Sequence, residues 1–260
     1  GNVPHQRTQQ PGFSRCPSDI PQSEPEFGQV VLDLKKHASM VPISNDIIRA
    51  ARQDVLNVVR DMMLRSMGDG EDKTLLLSDG TSNEPKGLRH LAAATNVTSS
   101  NGTSAANIEK DFKELMSALT TQNVPIERPR FIMSRRSWLA LLNLRDGTSG
   151  DLVFPQIRDR GMAENGTILG VPVEVSNNLP DNLGSGNDES LVMLAEGSEL
   201  MLGQDGRLEV ETSREASYTQ SGNKVSTFER DQSLVRVISR LDFQVMHPES
   251  VAVKTGVQWT

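Results

Sequence analysis

The sequence predicts an α+β fold, and three observations carry that reading. One helical period, over residues 46–77, is much longer than any other in the chain. Strand patterns lie near both chain ends, at 27–37 and 234–245. Protruding stretches, above all residues 1–25, are too rich in Pro, Gln and Ser to bury themselves.

At 260 residues the chain has room for one or two domains and a real core. Only 4% of it is aromatic, so core volume must come from Leu, Val, Ile and ten Met. Cys16 is alone and cannot form an internal disulfide. No apolar run reaches the length of a membrane span, and no charged-then-apolar signal segment opens the chain. The net charge of -7, with bases scattered among acids, argues against a dedicated nucleic-acid binder. Such proteins gather Lys and Arg on one face to neutralise phosphates. A mildly acidic wall is compatible with confining a polyanion without gripping it.

The elements follow in order. Residues 1–25 read as an extended, solvated arm or hairpin. Residues 27–37 read as one long strand, with Val30, Leu32 and Leu34 on one face by alternation. Val41-Pro42-Ile43 follows, and Ser44 or Asn45 is a sound N-cap. The helix over 46–77 carries Ile47, Ile48, Val55, Val58, Val59, Met62, Met63 and Met67 as an apolar stripe. The stripe reads as core, not as a cofactor or peptide groove. Gly68 and Gly70 weaken the helix by ~1 kcal/mol each relative to Ala, so a kink or close packing is expected there.

Beyond the helix lies the turn Ser78-Asp79-Gly80-Thr81 with Glu84-Pro85-Lys86-Gly87-Leu88. A helix over 106–120 puts Ile108, Phe112, Leu115 and Leu119 on one face. Residues 130–134 read as a buried strand, and 137–144 as a short helix with Trp138, Leu141 and Leu142 facing in. A strand over 167–175 is interrupted by a tight Gly and Pro, which suggests an edge or bulge. Residues 177–188 are turn-rich. Further strands are expected at 191–195, 200–202, 208–212 and 234–245, with a hairpin tip at 217–224. In the last strand Val235, Val237 and Leu241 are set against Arg236, Ser239 and Arg240.

The enzyme chemistries need constellations that are not evident. No G-x-S-x-G elbow and no phosphate-binding G-x-x-x-x-G-K-[ST] loop occurs. His5, His37, His90 and His247 lack paired metal-ligand spacing, and His37 and His90 read as surface or interface residues. Glu229-Arg230-Asp231 with Arg236 and Arg240 reads as a solvated or intersubunit ion-pair face, not a catalytic group. Asn96, Asn101 and Asn165 head chance N-x-[ST] triplets.

Several segments, in order, resemble the tailed-bacteriophage major capsid proteins of the Hong Kong 97-like fold. Phe27-x-x-Val30-x-Leu32-x-x-Lys35-Lys36 with Ile43-Ser44-Asn45 resembles the family's extended loop and the start of its spine helix. The turn from Ser78 to Leu88 resembles the one after that helix, with Ser78 where a glycine is common. Phe131-Ile132-Met133-Ser134 with Trp138 and Leu144-Arg145-Asp146-Gly147, and Gly170-Val171-Pro172-Val173, resemble its middle segments. Phe228-x-x-Asp231 through Arg236, Arg240, Asp242-Phe243 and Pro248-Glu249-Ser250 resembles its closing strand.

The resemblance implies an extended loop at 1–40, a peripheral domain at 41–77 and 208–245, and an axial domain at 78–207 and 246–260. The family's N-terminal arm would precede this chain. It implies a structural protein, not an enzyme, that self-assembles into hexamers and pentamers of an icosahedral head around double-stranded DNA. It implies no cofactor, no metal, no membrane and no sequence-specific DNA contact. Scaffolding, portal and cement proteins are further implied partners, and the virion, assembled in the host bacterial cytoplasm, is the implied location. Expected assembly contacts are Phe27, Lys35, Lys36, Asp231, Arg236 and Arg240. The namesake shell joins a Lys to an Asn with a Glu as catalyst. Those positions fall near Gln29, Asp231 and Ile238 here, so no crosslinking is expected. A cargo-holding nanocompartment shell shares the fold and is the alternative. A hydrolase or binding protein with an irregular site is the alternative from another class.

Overall fold

A computed structural model describes residues 3–7, 26–50, 54–122, 124–147, 149–158, 166–206 and 208–259. The chain opens with β1 (Val3–Arg7), β2 (Glu26–Val30), β3 (Lys35–Ser44), α1 (Asn45–Ala50) and α2 (Asp54–Leu77). Next come α3 (Leu88–Leu91), β4 (Val97–Ser99), α4 (Ala105–Thr121), β5 (Pro129–Ser134), α5 (Arg135–Asn143) and α6 (Pro155–Arg158). Then follow β6 (Thr167–Ile168), β7 (Val171–Ser176), β8 (Ser190–Glu196), β9 (Leu200–Gln204) and β10 (Glu209–Ser213). The hairpin strands β11 (Ser217–Gln220) and β12 (Asn223–Ser226) precede β13 (Gln232–Val245) and β14 (Val251–Val257).

Two sheets organise the body. A six-stranded sheet has the order β4-β14-β8-β5-β7-β6. In the other, β13 is the spine: β3 pairs along it from Gln232 to Leu241, while β10 and β9 pair with it at Leu234–Ile238 and Leu241–Val245. The hairpins β1-β2 and β11-β12 belong to neither sheet.

The larger core lies where α4 and α5 cover the six-stranded sheet. Both helices start on serine caps, Ser104 and Ser134, whose hydroxyls accept a backbone N–H three residues on. Phe112 meets Phe131 edge-on at 5.1 Å and Phe154 at 6.1 Å, and Trp138 and Trp259 are fully buried. Leu88, Met193, Val251 and Val253 build a second cluster. The third is small: Ile43, Met63, Met67, Val235 and Val237, where α2 crosses the four-stranded sheet.

Several expectations need correction. The strand over 27–37 is two strands broken at 31–34. There the Asp33 backbone N–H leaves the ladder and donates to the Asp242 carboxylate at 2.7 Å, and Leu32 packs over Gly203. Val30, Leu32 and Leu34 therefore do not share a buried face; Leu34 is exposed. β3 starts at Lys35 and carries through Val41-Pro42-Ile43 as one ten-residue strand. Val58 and Met62 are exposed, because the sheet touches α2 on one side and reaches Val59, Met63, Leu64 and Met67; on α1, Ile47 is exposed while Ile48 packs on the cluster. The side chain of Val55 lies outside the described residues. Ser239 sits on the same face as Val237 and Leu241, as period two requires, and donates to Glu71 of α2.

The helix does not kink at its glycines; α2 runs unbroken through both. Gly70 is instead a close approach, since a Cβ there would stand 3.3 Å from His37 Nε2. The strand over 167–175 is β6 and β7 joined by Leu169 and Gly170, both at positive φ. β14, in the interior of the six-stranded sheet, was not anticipated as an element. Most of the Pro-rich stretch, with Cys16, lies outside the described residues.

Candidate assembly surfaces

The face of the four-stranded sheet turned away from α2 is built in cross-strand rows. Directly paired residues share a face. One row is Met40, Arg236 and Glu211; the next is Ala38, Ile238 and Glu209. Lys36 stands opposite Arg240. Arg236 pairs with Glu211, and Arg240 with Glu209 at 2.8 Å and Asp205 at 3.4 Å. The hydrogen bond from Arg240 holds the Glu209 carboxyl below its ordinary range, and Glu209 raises Arg240 in turn. These exposed pairs fix strand register more than they add strength. Met40 remains exposed among them, and Lys36 has no ion pair among the described residues.

At the root of the β1-β2 hairpin, Lys35 pairs with Asp33, whose hydrogen bond holds the ammonium above its ordinary value. Below it lies a cavity of about 430 Å³ between β3, the second half of α2 and the turn at 78–87. Lys35, Lys36, His37 and Lys73 line it with Leu77 and Leu241, and Glu71 and Glu84 supply acids. The turn is locally determined. Asp79 accepts from the backbone and hydroxyl of Thr81 at 2.9 and 2.7 Å, which holds its carboxyl below the usual range. Gly87 cannot be larger, since a Cβ there would stand 2.7 Å from the backbone nitrogens of Leu77 and Ser78.

At the far end of β13, Asp231 closes a tight turn with φ +49. Asn45 donates its backbone N–H to the Asp231 carbonyl at 2.9 Å and its side-chain amide to the carboxylate at 2.6 Å. Arg49 is 3.4 Å from the same carboxylate. Thr227 is fully buried and donates its hydroxyl to the carbonyls of Arg214 and Ala216. Between these fixed points Phe228 is 80% exposed. In a chain with seven Phe, one held in the open by so many bonds marks a surface that sequence reasoning did not single out.

The six expected contact residues are thus spread over three places. Phe27 lies in the hairpin, paired with Gln6, and its side chain is outside the described residues. Lys35 and Lys36 flank the hairpin root. Asp231 is at the β13 tip, and Arg236 and Arg240 are on the outer face. Asp231, Arg236 and Arg240 make separate intrachain pairs and do not converge. Gln29 lies opposite Pro4 in the hairpin, and Ile238 is buried mid-sheet. Among the described residues no group of three or more His, Cys, Asp or Glu is placed to hold a metal, and no helix is long and apolar enough to cross a membrane.

Among the described residues β3 keeps an unpaired ten-residue edge, the β1-β2 hairpin joins neither sheet and Phe228 is exposed, a set of features that fits the class of structural subunits completed by neighbours. The phage capsid family's sequence model matches residues 14–256, and the chain belongs to that family. It is 34% identical over 244 residues to the major capsid protein of Klebsiella oxytoca phage phiKO2, covering 92% of this chain and 55% of that protein. It is 24% identical over 246 residues to the capsid polyprotein of Pseudomonas phage PAJU2, covering 90% of this chain and 35% of that one. The chain therefore spans about half or less of these curated relatives. Among solved structures, the capsid of an empty GTA particle superposes with a TM-score of 0.74 at 14% identity, covering 98% of this chain and 84% of that one. A structure from Mycobacterium phage Adephagia gives 0.72 at 16%, covering 98% and 83%. At these identities the likeness is one of fold, and it is the α+β Hong Kong 97-like capsid fold expected from the sequence.

Proposed function

We propose that the chain is the shell-building part of a major capsid protein, forming hexamers and pentamers of an icosahedral phage head around double-stranded DNA. The observation that supports this reading is a capsid-family body whose β1-β2 hairpin and β3 edge have no partner strand within the described chain. Such groups are completed by strands or faces of neighbouring copies. Residues 1–40 act as the extended loop, 41–77 with 208–245 as the peripheral domain, and 78–207 with 246–260 as the axial domain. Lys36, Arg236 and Arg240 contact neighbours as part of a charged outer face, with Phe27, Lys35 and Asp231 at its two ends. The shell performs no catalysis and forms no covalent crosslinks. DNA is confined without sequence-specific contact, scaffolding, portal and cement proteins join it, and assembly takes place in the host cytoplasm.

Electron microscopy of the purified full chain tests this directly: closed shells are expected, and a monodisperse monomer at every concentration and ionic strength overturns it. Deleting residues 1–25 is expected to abolish shells while leaving the circular dichroism spectrum and thermal transition of the subunit nearly unchanged. Intact shells from the deletion overturn the role given to the hairpin. Boiled particles are expected to run as single subunits on a denaturing gel.

A further inference from the structure

The turn between β6 and β7 breaks two local rules at one residue. Leu169 (φ +50) and Gly170 (φ +83) form a two-residue hairpin turn with both residues left-handed. That turn favours Asn-Gly or Asp-Gly. A Leu there sets its Cβ against the following carbonyl. Its side chain is also 53% exposed, so the fold gains little burial from it. A residue that costs the subunit conformationally and adds little packing is a candidate for a contact outside the subunit.

Leu169 forms one wall of an open groove of about 660 Å³ whose other wall is the outer face of α4, including Ala106, Glu109, Lys110, Lys113 and Met116. Lys110 is engaged by Asn101 and Glu114, but Lys113 has no ion pair among the described residues. The groove is thus apolar at its base, with Glu109 and the unpaired Lys113 on its rim.

The complementary surface lies at the opposite end of the same strand. β7 runs from the Leu169 turn to Ser176, a span of about 20 Å. The loop that follows, residues 177–189, carries Asp181, Asp188 and Glu189 and no Lys or Arg, while Arg136 of α5 lies 3.9 Å from the Asp181 carboxylate and donates to the Asp181 and Asp188 carbonyls. The loop is held in shape: Leu183 and Glu189 exchange backbone hydrogen bonds at 2.9 and 3.1 Å, and Gln258 donates to Asp188 at 3.2 Å. Gly184 has φ +73 and lies against the Glu189 carboxylate where no Cβ would fit.

We propose that the Leu169–α4 groove receives the acidic 181–188 loop of a second copy of this chain. The inference rests on the shell reading. The groove with Lys113 and the acidic loop lie at opposite ends of one sheet, so the contact is head-to-tail, and it forms a ring where its rotation closes. Leu169 supplies the buried apolar anchor, and Lys113 against Asp188 sets register.

The test compares the full chain with L169N, K113E, D188K and the K113E/D188K double variant. L169N puts a favoured residue in the turn, so its subunit is expected to melt at the same or a higher temperature. Its assembled fraction, read by sedimentation and electron microscopy, is expected to fall about tenfold. K113E and D188K are each expected to lower assembly, and the double variant to recover it. Wild-type shells with L169N assembling equally well, or with no recovery in the double variant, overturn the contact alone. A wild-type chain that never assembles overturns the contact and the shell reading together.

Discussion

The two sheets treat apolar residues differently. The six-stranded sheet is closed over by α4 and α5, and its aromatic residues Phe112, Phe131, Trp138 and Trp259 are almost wholly buried. The four-stranded sheet has α1 and α2 against one face, and its cluster of five buried residues leaves Met40, Ile47, Val58, Met62 and Phe228 in the open. The first unit covers its own aromatic core and leaves single apolar residues such as Leu169 outside it. The second leaves apolar residues on surfaces that the described residues do not cover, which is how interaction faces are marked.

Substitutions that treat the two units alike should expose this difference. Trp138→Ala should be the most damaging, costing about 3–5 kcal/mol in urea unfolding, because it empties the closed core. Lys254→Ala should cost a similar ~3–5 kcal/mol. The Lys254 ammonium is buried, 3.2 Å from the fully buried Asp111 and paired with Glu114, so its removal leaves a buried carboxylate uncompensated. Met63→Ala should cost about 2–5 kcal/mol, while its exposed neighbour Met62→Ala should stay within ~0.5 kcal/mol. If Met62→Ala destabilises the isolated subunit as much as Met63→Ala, the contrast between the sheets is wrong.

The smallest expected effect is electrostatic. The hydrogen bonds from Lys254 and then Asn101 hold the Glu114 carboxyl below its ordinary value of 4.5. A depressed carboxylate stabilises the fold fully above that value and loses its contribution as pH falls through the lower folded value. Wild-type stability should therefore decline more steeply than that of Glu114→Gln below about pH 4.5, as followed by urea titrations across that range.

Much of the architecture was legible where a pattern is answered locally. α4 and α5 follow from their apolar faces, β5 and β8 from continuous apolar runs, and β11-β12 from a polar Gly-containing tip. The rest depends on distant partners. β14 was obscured because Lys254 interrupts its apolar run, and only Asp111 and Glu114, on α4, make that lysine an interior residue. The break at 31–34 is imposed by a carboxylate 209 residues away. Helical spacing marks every apolar residue on α2, but which are covered depends on where the sheet lies. The same limit governs the surfaces. Arg236 and Arg240 were legible as charges, while Glu211, Glu209 and Asp205 became their partners only through strand register. The scarcity of aromatics was the available signal for Phe228.

The bond between the Asp33 amide and Asp242 has a temporal consequence. Proteins emerge from the ribosome amino end first, at roughly 5–20 residues per second. The hairpin's root is therefore made well before the carboxylate that fixes its heading. Until residue 242 has been made, the Asp33 amide lacks its carboxylate acceptor, and the hairpin root is not yet tied to β13.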